Sequence, residues 1–188
     1  MGDVCQVVNG ATPSTKVAEY WDGGDICWAT PTDMTALTAP VIFDTSKKIT
    51  QRGLANCSAT LLPVGSVLVT SRATIGISAI NYAPMATNQG FKSLICGPKA
   101  TNHFMLLTMK NRVDEMIGRA NGTTFLEINS TNFKALELVL PLQEVMAAFD
   151  RQVKPYFDQI YANQRENVSL AATRDYLLPR LLAGEVEV

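Results

Sequence analysis

The sequence predicts a mixed α/β domain followed by one long helical segment, and two observations carry that prediction. Over the first 140 residues the apolar runs are short, β-branched and bounded by Gly, Pro, Asn or Thr, which is the patterning of strands and turns. After Pro141 glycine disappears until Gly184 and helix formers dominate. The proline marks the boundary. An α+β mixed-sheet domain is expected over residues 1–141 and a helical region over 142–188.

Taken in order, the strand-sized runs are residues 4–8, 26–29, 66–70, 77–80 and 91–95. A helix over 103–119 follows, capped by Asn102 and ended at Asn121-Gly122, with Phe104, Leu107, Val113, Met116 and Ile117 sharing one face. Ser130 caps one short turn before a last strand over 136–140. Beyond Pro141, residues 142–153 form one helix. Pro155, which has no N–H to give to the preceding turn, starts or kinks a second helix that runs to Leu182 and stops at Gly184.

On that second helix Tyr156, Ile160, Asn163, Asn167, Leu170, Arg174, Leu177 and Leu181 alternate spacings of four and three, a coiled-coil-type heptad seam. Two asparagines weaken such a seam but fix register and partner number, because each buried amide needs a mate. Pairing with a second copy in a homodimer is the expectation. The competing reading is an amphipathic helix laid on its own domain.

At 188 residues, 47% hydrophobic and 18% charged, the chain can bury one core and carry one appendage. No apolar run approaches the ~18 residues of a membrane span, and Met1-Gly2-Asp3-Val4 lacks the basic start of a signal peptide, so a cytoplasmic location is expected. Cys5, Cys27, Cys57 and Cys96 are scattered singly, as reduced structural thiols would be; neither zinc-ligand pairs nor a disulfide framework is indicated. The net charge of -1 hides an uneven distribution. Residues 45–135 hold ten bases (Lys47, Lys48, Arg52, Arg72, Lys92, Lys99, Lys110, Arg112, Arg119, Lys134) against Asp114, Glu115 and Glu127, a net of +7, while both ends are acidic.

That basic middle contains the candidate chemistry. Arg72 lies in Thr70-Ser71-Arg72-Ala73-Thr74-Ile75-Gly76, just past an apolar strand. An arginine fork can engage guanine O6 and N7 together, and small hydroxyls such as Thr70, Ser71 and Thr74 suit phosphate or base edges. An ion pair at a strand end is the structural alternative for Arg72. Asn88 and Gln89 carry the amides that suit adenine N6 and N7, with Lys92 close behind, although amides also stitch loops together. Gly122-Thr123-Thr124 can present N–H groups and hydroxyls to a phosphate, or be a plain turn. Lys47, Lys48 and Arg52 fit general phosphate contact better than base reading.

Enzyme signatures are thin. The sequence has no Gly-rich nucleotide loop, nucleophile elbow or metalloprotease helix, and its single histidine is His103. A Cys57 or Cys96 pair with His103, as in a Cys/His hydrolase, is the one enzymatic alternative.

The ordered motifs Gly10-Ala11-Thr12-Pro13-Ser14, Tyr20-Trp21, Gly24-Asp25-Ile26-Cys27-Trp28, Leu62-Pro63-Val64-Gly65-Ser66-Val67-Leu68, the Arg72 block, Gln89-Gly90-Phe91, Gly122-Thr123-Thr124 and Leu140-Pro141 span almost the whole chain. Together with Arg174-Asp175-Tyr176-Leu177-Leu178-Pro179-Arg180-Leu181-Leu182, this series resembles the DNA specificity subunits of type I restriction-modification enzymes. The resemblance implies a non-catalytic subunit that recognises double-stranded DNA through a target recognition domain. It also implies partners: methyltransferase subunits that use S-adenosylmethionine, and a restriction/translocase subunit that uses ATP and Mg, with no cofactor in this chain. Members of that family carry two recognition domains and two helical spacers, so one of each implies a half-length subunit. A helical assembly or regulatory module without DNA readout is the alternative outside catalysis.

Overall fold

The computed structural model describes residues 1–122 and 124–185. Eight strands build two sheets. β1 (Cys5–Asn9), β8 (Lys92–Cys96), β5 (Val67–Val69), β6 (Ser78–Asn81) and β3 (Val41–Ile42) lie side by side in that order. All neighbours run antiparallel except β6 and β3. A smaller sheet places β2 (Ile26–Ala29) between antiparallel β4 (Lys48–Ile49) and parallel β7 (Met85–Thr87).

The side-chain alternation of the strands sets the layers. Val67 and Val69 of β5, Ile80 of β6 and Leu94 of β8 belong to the core shared with the helices. Leu68, Ala79 and Phe91 belong instead to the core shared with Cys27, Ala29 and Met85 of the small sheet. The large sheet is therefore covered on both faces, which is why its central strands read as continuous apolar runs. Trp28, Ile26, Ile49 and Ala86 form a third cluster with Trp21 and Leu54 on the far side of the small sheet.

The five strand runs legible in the sequence all form strands, with no end shifted by more than one residue. Two short helices were not foreseen. α1 (Pro31–Thr35) starts from a capping box, in which the Thr30 hydroxyl accepts from the Asp33 N–H while the Asp33 carboxylate accepts from the Thr30 N–H. α2 (Gln51–Ala55) starts at Thr50, whose hydroxyl accepts from Gly53 N–H.

The helix expected over 103–119 is two. α3 (Asn102–Lys110) is capped by Thr101 rather than by Asn102, and α4 (Val113–Gly118) restarts after Arg112 leaves the helical conformation. The break lets Val113 pack where Gly76 has no side chain; a Cβ at Gly76 would lie 2.7 Å from a Val113 γ-carbon. The short turn expected at Ser130 is α5 (Ser130–Lys134), capped by Asn129. Residues 136–140 do not form the expected strand. Leu136, Leu138 and Leu140 alternate because they pack against the core, and alternation reports packing without requiring a ladder partner.

The largest departure lies after Pro141, where one continuous helix, α6 (Gln143–Leu182, 40 residues), replaces the expected pair. Pro155 sits inside it, and an interior proline, which loses one helical hydrogen bond and crowds the preceding turn, costs about 3 kcal/mol. Packing on both sides of the proline offsets that cost. Met146 and Phe157 are buried, Val153 and Ile160 pack against the same core, and Tyr161 stacks on Tyr82 with centroids 4.3 Å apart. His103 of α3 lies 2.7 Å, Nδ1 to Oδ1, from Asp150 of α6. Among the described residues no helix is long and apolar enough to cross a membrane.

Candidate nucleic-acid interface

Three chain segments meet at the end of β5. Ser71 N–H donates to the Gly90 carbonyl at 2.7 Å, and the Ser71 carbonyl accepts from Ile128 N–H at 3.0 Å. Ala73 N–H donates to Leu126 O at 3.0 Å, so the loops around 72, 89 and 126 are stitched side by side. The third segment is a narrow hairpin, closed by paired backbone bonds between Asn121 and Glu127 at 3.0 and 2.9 Å. Backbone bonds fix each loop before any side chain is considered.

The Arg72 block splits by orientation. Thr70 and Ser71 are buried: Thr70 Oγ1 accepts from Ile77 N–H at 3.0 Å and donates to the Thr74 carbonyl, closing the loop from within. Those two hydroxyls form the base of the loop, not its surface. Arg72 and Thr74 are exposed, and Ala73 adopts φ 61°, a left-handed conformation that turns the chain between them.

Arg72, Asn88, Gln89 and Gly90 line one concavity of about 220 Å³ with Pro31, Ala73 and Phe125. Asn88 shapes the loop, since its side-chain carbonyl accepts from Gly90 N–H at 2.9 Å, and Gln89 is exposed and bonded to the Thr12 hydroxyl. The Arg72 guanidinium lies 6.0 Å from the Phe125 ring centroid and, through Nε, 3.8 Å from Glu127 Oε2. Lys92 lies beneath, its side chain only 7% exposed and its Nζ 3.9 Å from Glu127 Oε1. Burial pushes the Lys92 ammonium below the ordinary lysine range, opposed by the Glu127 carboxylate. An arginine fork, two amides and an aromatic ring around one hollow can offer donors, acceptors and apolar contact to base edges.

Phe125 and Glu127 were not foreseen. They lie about fifty residues after Arg72 in sequence, and only the backbone bonds between the two loops bring them to it. Thr124 is exposed on the same hairpin; Thr123 lies outside the described residues.

The other basic candidates sit elsewhere. Lys48 lines a separate hollow against α6 with Phe43, Tyr161 and Arg165, and its Nζ is 3.3 Å from Asp44. Arg52 pairs with Glu19, and Lys47 is exposed. Folding thus brings acids from the N-terminal third onto bases of the middle and reduces the segregation seen along the sequence. The enzymatic alternative finds no geometry. His103 faces Asp150 and Phe157, the Cys96 thiol lies 3.8 Å from Cys5, and the Cys57 thiol donates to the Leu54 carbonyl of α2.

The helix seam divides as well. Ile160 packs on the domain, whereas Tyr156, Asn163, Asn167, Leu170, Arg174, Leu177 and Leu181 are exposed. At about 100° per residue, this row lies roughly a quarter turn from the stripe that contacts the domain. Past Gln164 almost every side chain of α6 is exposed, including Leu178 and Leu182.

The family described as the type I restriction modification DNA specificity domain matches residues 1–168. The type I restriction enzyme MjaIX specificity subunit of Methanocaldococcus jannaschii is 34% identical over 166 residues, covering 87% of this chain and 38% of that protein. The HindI specificity subunit of Haemophilus influenzae is 29% identical over 189 residues, 99% of this chain and 40% of the relative. The chain therefore spans about two fifths of the length of these curated relatives. Among solved structures, the type I restriction-modification S subunit from M. genitalium shares the fold, with a TM-score of 0.65 at 13% identity over 96% of this chain and 44% of that one.

Proposed function

Because the chain belongs to the type I restriction modification DNA specificity domain family, we propose that it is a non-catalytic subunit that recognises DNA sequence, reading one half of a bipartite double-stranded target. The observation that carries this reading is the convergence of Arg72, Asn88 and Gln89 on one concavity. Arginine supplies the donor fork that suits guanine, and the amides supply the donor and acceptor that suit adenine. Thr74 and Thr124, both exposed, serve phosphate contact with Lys47. The subunit acts as a scaffold. It holds methyltransferase subunits, which bring S-adenosylmethionine, and a restriction/translocase subunit, which brings ATP and Mg, and it works in the cytoplasm.

Two copies pairing through α6 supply two recognition domains. The exposed row of Leu170, Leu177 and Leu181, with Asn163 and Asn167 setting register, supports an antiparallel homodimer.

Selection of duplexes from a random pool by the purified chain, alone and with a methyltransferase subunit, tests the function. An enriched short half-site is expected, lost in Arg72→Ala. Dimerisation without any enriched sequence would reject DNA reading in favour of a helical assembly or regulatory module.

A further inference from the structure

The acid beside the concavity is Glu127, whose carboxylate lies 3.8 Å from Arg72, a residue of its lining, and 3.9 Å from Lys92. Its backbone is held on both sides, by paired bonds to Asn121 and by an antiparallel bridge to Arg72, so its position is set by the fold. A carboxylate beside a DNA groove is repelled by phosphates and can only accept hydrogen bonds. Major-groove base edges donate at two places, cytosine N4 and adenine N6. Of the base edges, Glu127 can therefore hydrogen-bond only these two amino groups.

Arg72 decides which. In a G·C pair, guanine O6 and cytosine N4 lie side by side, joined by an N–H···O bond of roughly 2.9 Å. The protein offers the complementary order, a donor at Arg72 beside an acceptor at Glu127, 3.8 Å apart. That separation exceeds a hydrogen bond, so neither group's capacity is consumed by the other. An A·T pair also sets an amino group beside an acceptor. Thymine, however, presents one acceptor and a methyl group, whereas guanine O6 and N7 fill both prongs of the fork.

We infer that Glu127 is a specificity-determining residue that accepts the cytosine N4 amino proton of the base pair whose guanine is taken by Arg72. The inference rests on the reading of this concavity as DNA-facing. Lys92, buried beneath, balances the carboxylate's charge without reaching the surface.

The test follows duplex selection with the wild-type chain. In the selected half-site each cytosine is replaced, one at a time, by pyrimidin-2-one, which lacks the 4-amino group. The wild type is expected to lose about tenfold in affinity at one position, the strength of a hydrogen bond to a charged acceptor. Glu127→Ala is expected to bind that modified duplex and its unmodified parent equally. If Glu127→Ala does not fold, Glu127→Gln keeps an acceptor oxygen and should show a penalty below that of the wild type. Equal wild-type affinity for every modified duplex, or an undiminished penalty in both variants, overturns the role of Glu127. Failure of the wild type to enrich any half-site instead overturns the DNA-facing reading itself.

Discussion

Arg72 and Lys47 carry the same charge but different expectations. An arginine fork in a shaped hollow discriminates bases, so Arg72→Ala should weaken specific binding by about 1–3 kcal/mol and nonspecific binding by less. Lys47, exposed and away from the hollow, should act on phosphate alone. Lys47→Ala should lower affinity across all sequences and reduce the salt slope by about one; filter binding over a salt series separates the two patterns. Unchanged sequence preference in Arg72→Ala would remove it from the readers. Gly10 acts through space rather than charge. A Cβ there would sit 1.9 Å from the Asn88 carbonyl oxygen, so Gly10→Ala must push apart β1 and the loop that carries Asn88. Overpacking of this kind costs about 1–3 kcal/mol, read as a lower urea midpoint at unchanged slope; an unshifted midpoint would show that the loop yields freely. At this scale the sequence disclosed residue types but not directions. Thr70 and Ser71 have the chemistry of surface hydroxyls, yet Thr70 spends its hydroxyl on loop carbonyl and amide groups, and nothing local tells the two uses apart. Glu127 and Phe125 carried no local signal, because the residues they meet, Arg72 and Lys92, come from remote segments.

Among the elements, short ones were missed where the signal was local and strong, and the long one was divided where a local signal was overruled. Thr30-Pro31-Thr32-Asp33 holds an N-cap, a proline at the first helical position and the returning carboxylate, enough to announce α1. β3, β4 and β7 are two or three residues long and have no period to detect. Pro155 announced a break, but the buried residues on either side of it hold α6 straight through. Phe157 is the anchor just past the proline, 6% exposed and set at a tilt against the His103 ring, centroids 4.8 Å apart. Phe157→Ala should cost about 3–5 kcal/mol, visible as a lower melting temperature; a loss under 1 kcal/mol would mean that the proline needs no compensation from it. The exposed row on the distal half makes a different prediction. In a paired helix Asn167→Leu should leave the dimer at least as stable while admitting other registers or partner numbers, read by sedimentation. A wild-type chain that stays monomeric at tens of micromolar without other subunits would count against pairing altogether.

On the scale of the whole molecule, α6 joins recognition to spacing. Its 40 residues extend about 60 Å at ~1.5 Å each, and Ala172 is the last of them to line a hollow shared with the domain. Two copies related by a two-fold axis would present identical hollows to opposite strands, so the target should be an interrupted palindrome with a fixed, unread gap. In such a pair the helix would set the length of that gap. One heptad inserted between Ala172 and Leu177 lies beyond the residues that line the hollow shared with the domain, and it lengthens the helix by about 10 Å, or about three base pairs at ~3.4 Å per step. The decisive measurement is methylome sequencing of cells that express the chain with its methyltransferase subunit and no other specificity subunit, for the wild type and the heptad insertion. Two identical inverted half-sites are expected in both, separated by a gap about three base pairs longer in the insertion. A continuous or asymmetric wild-type target, or half-sites that change with helix length, would contradict the account.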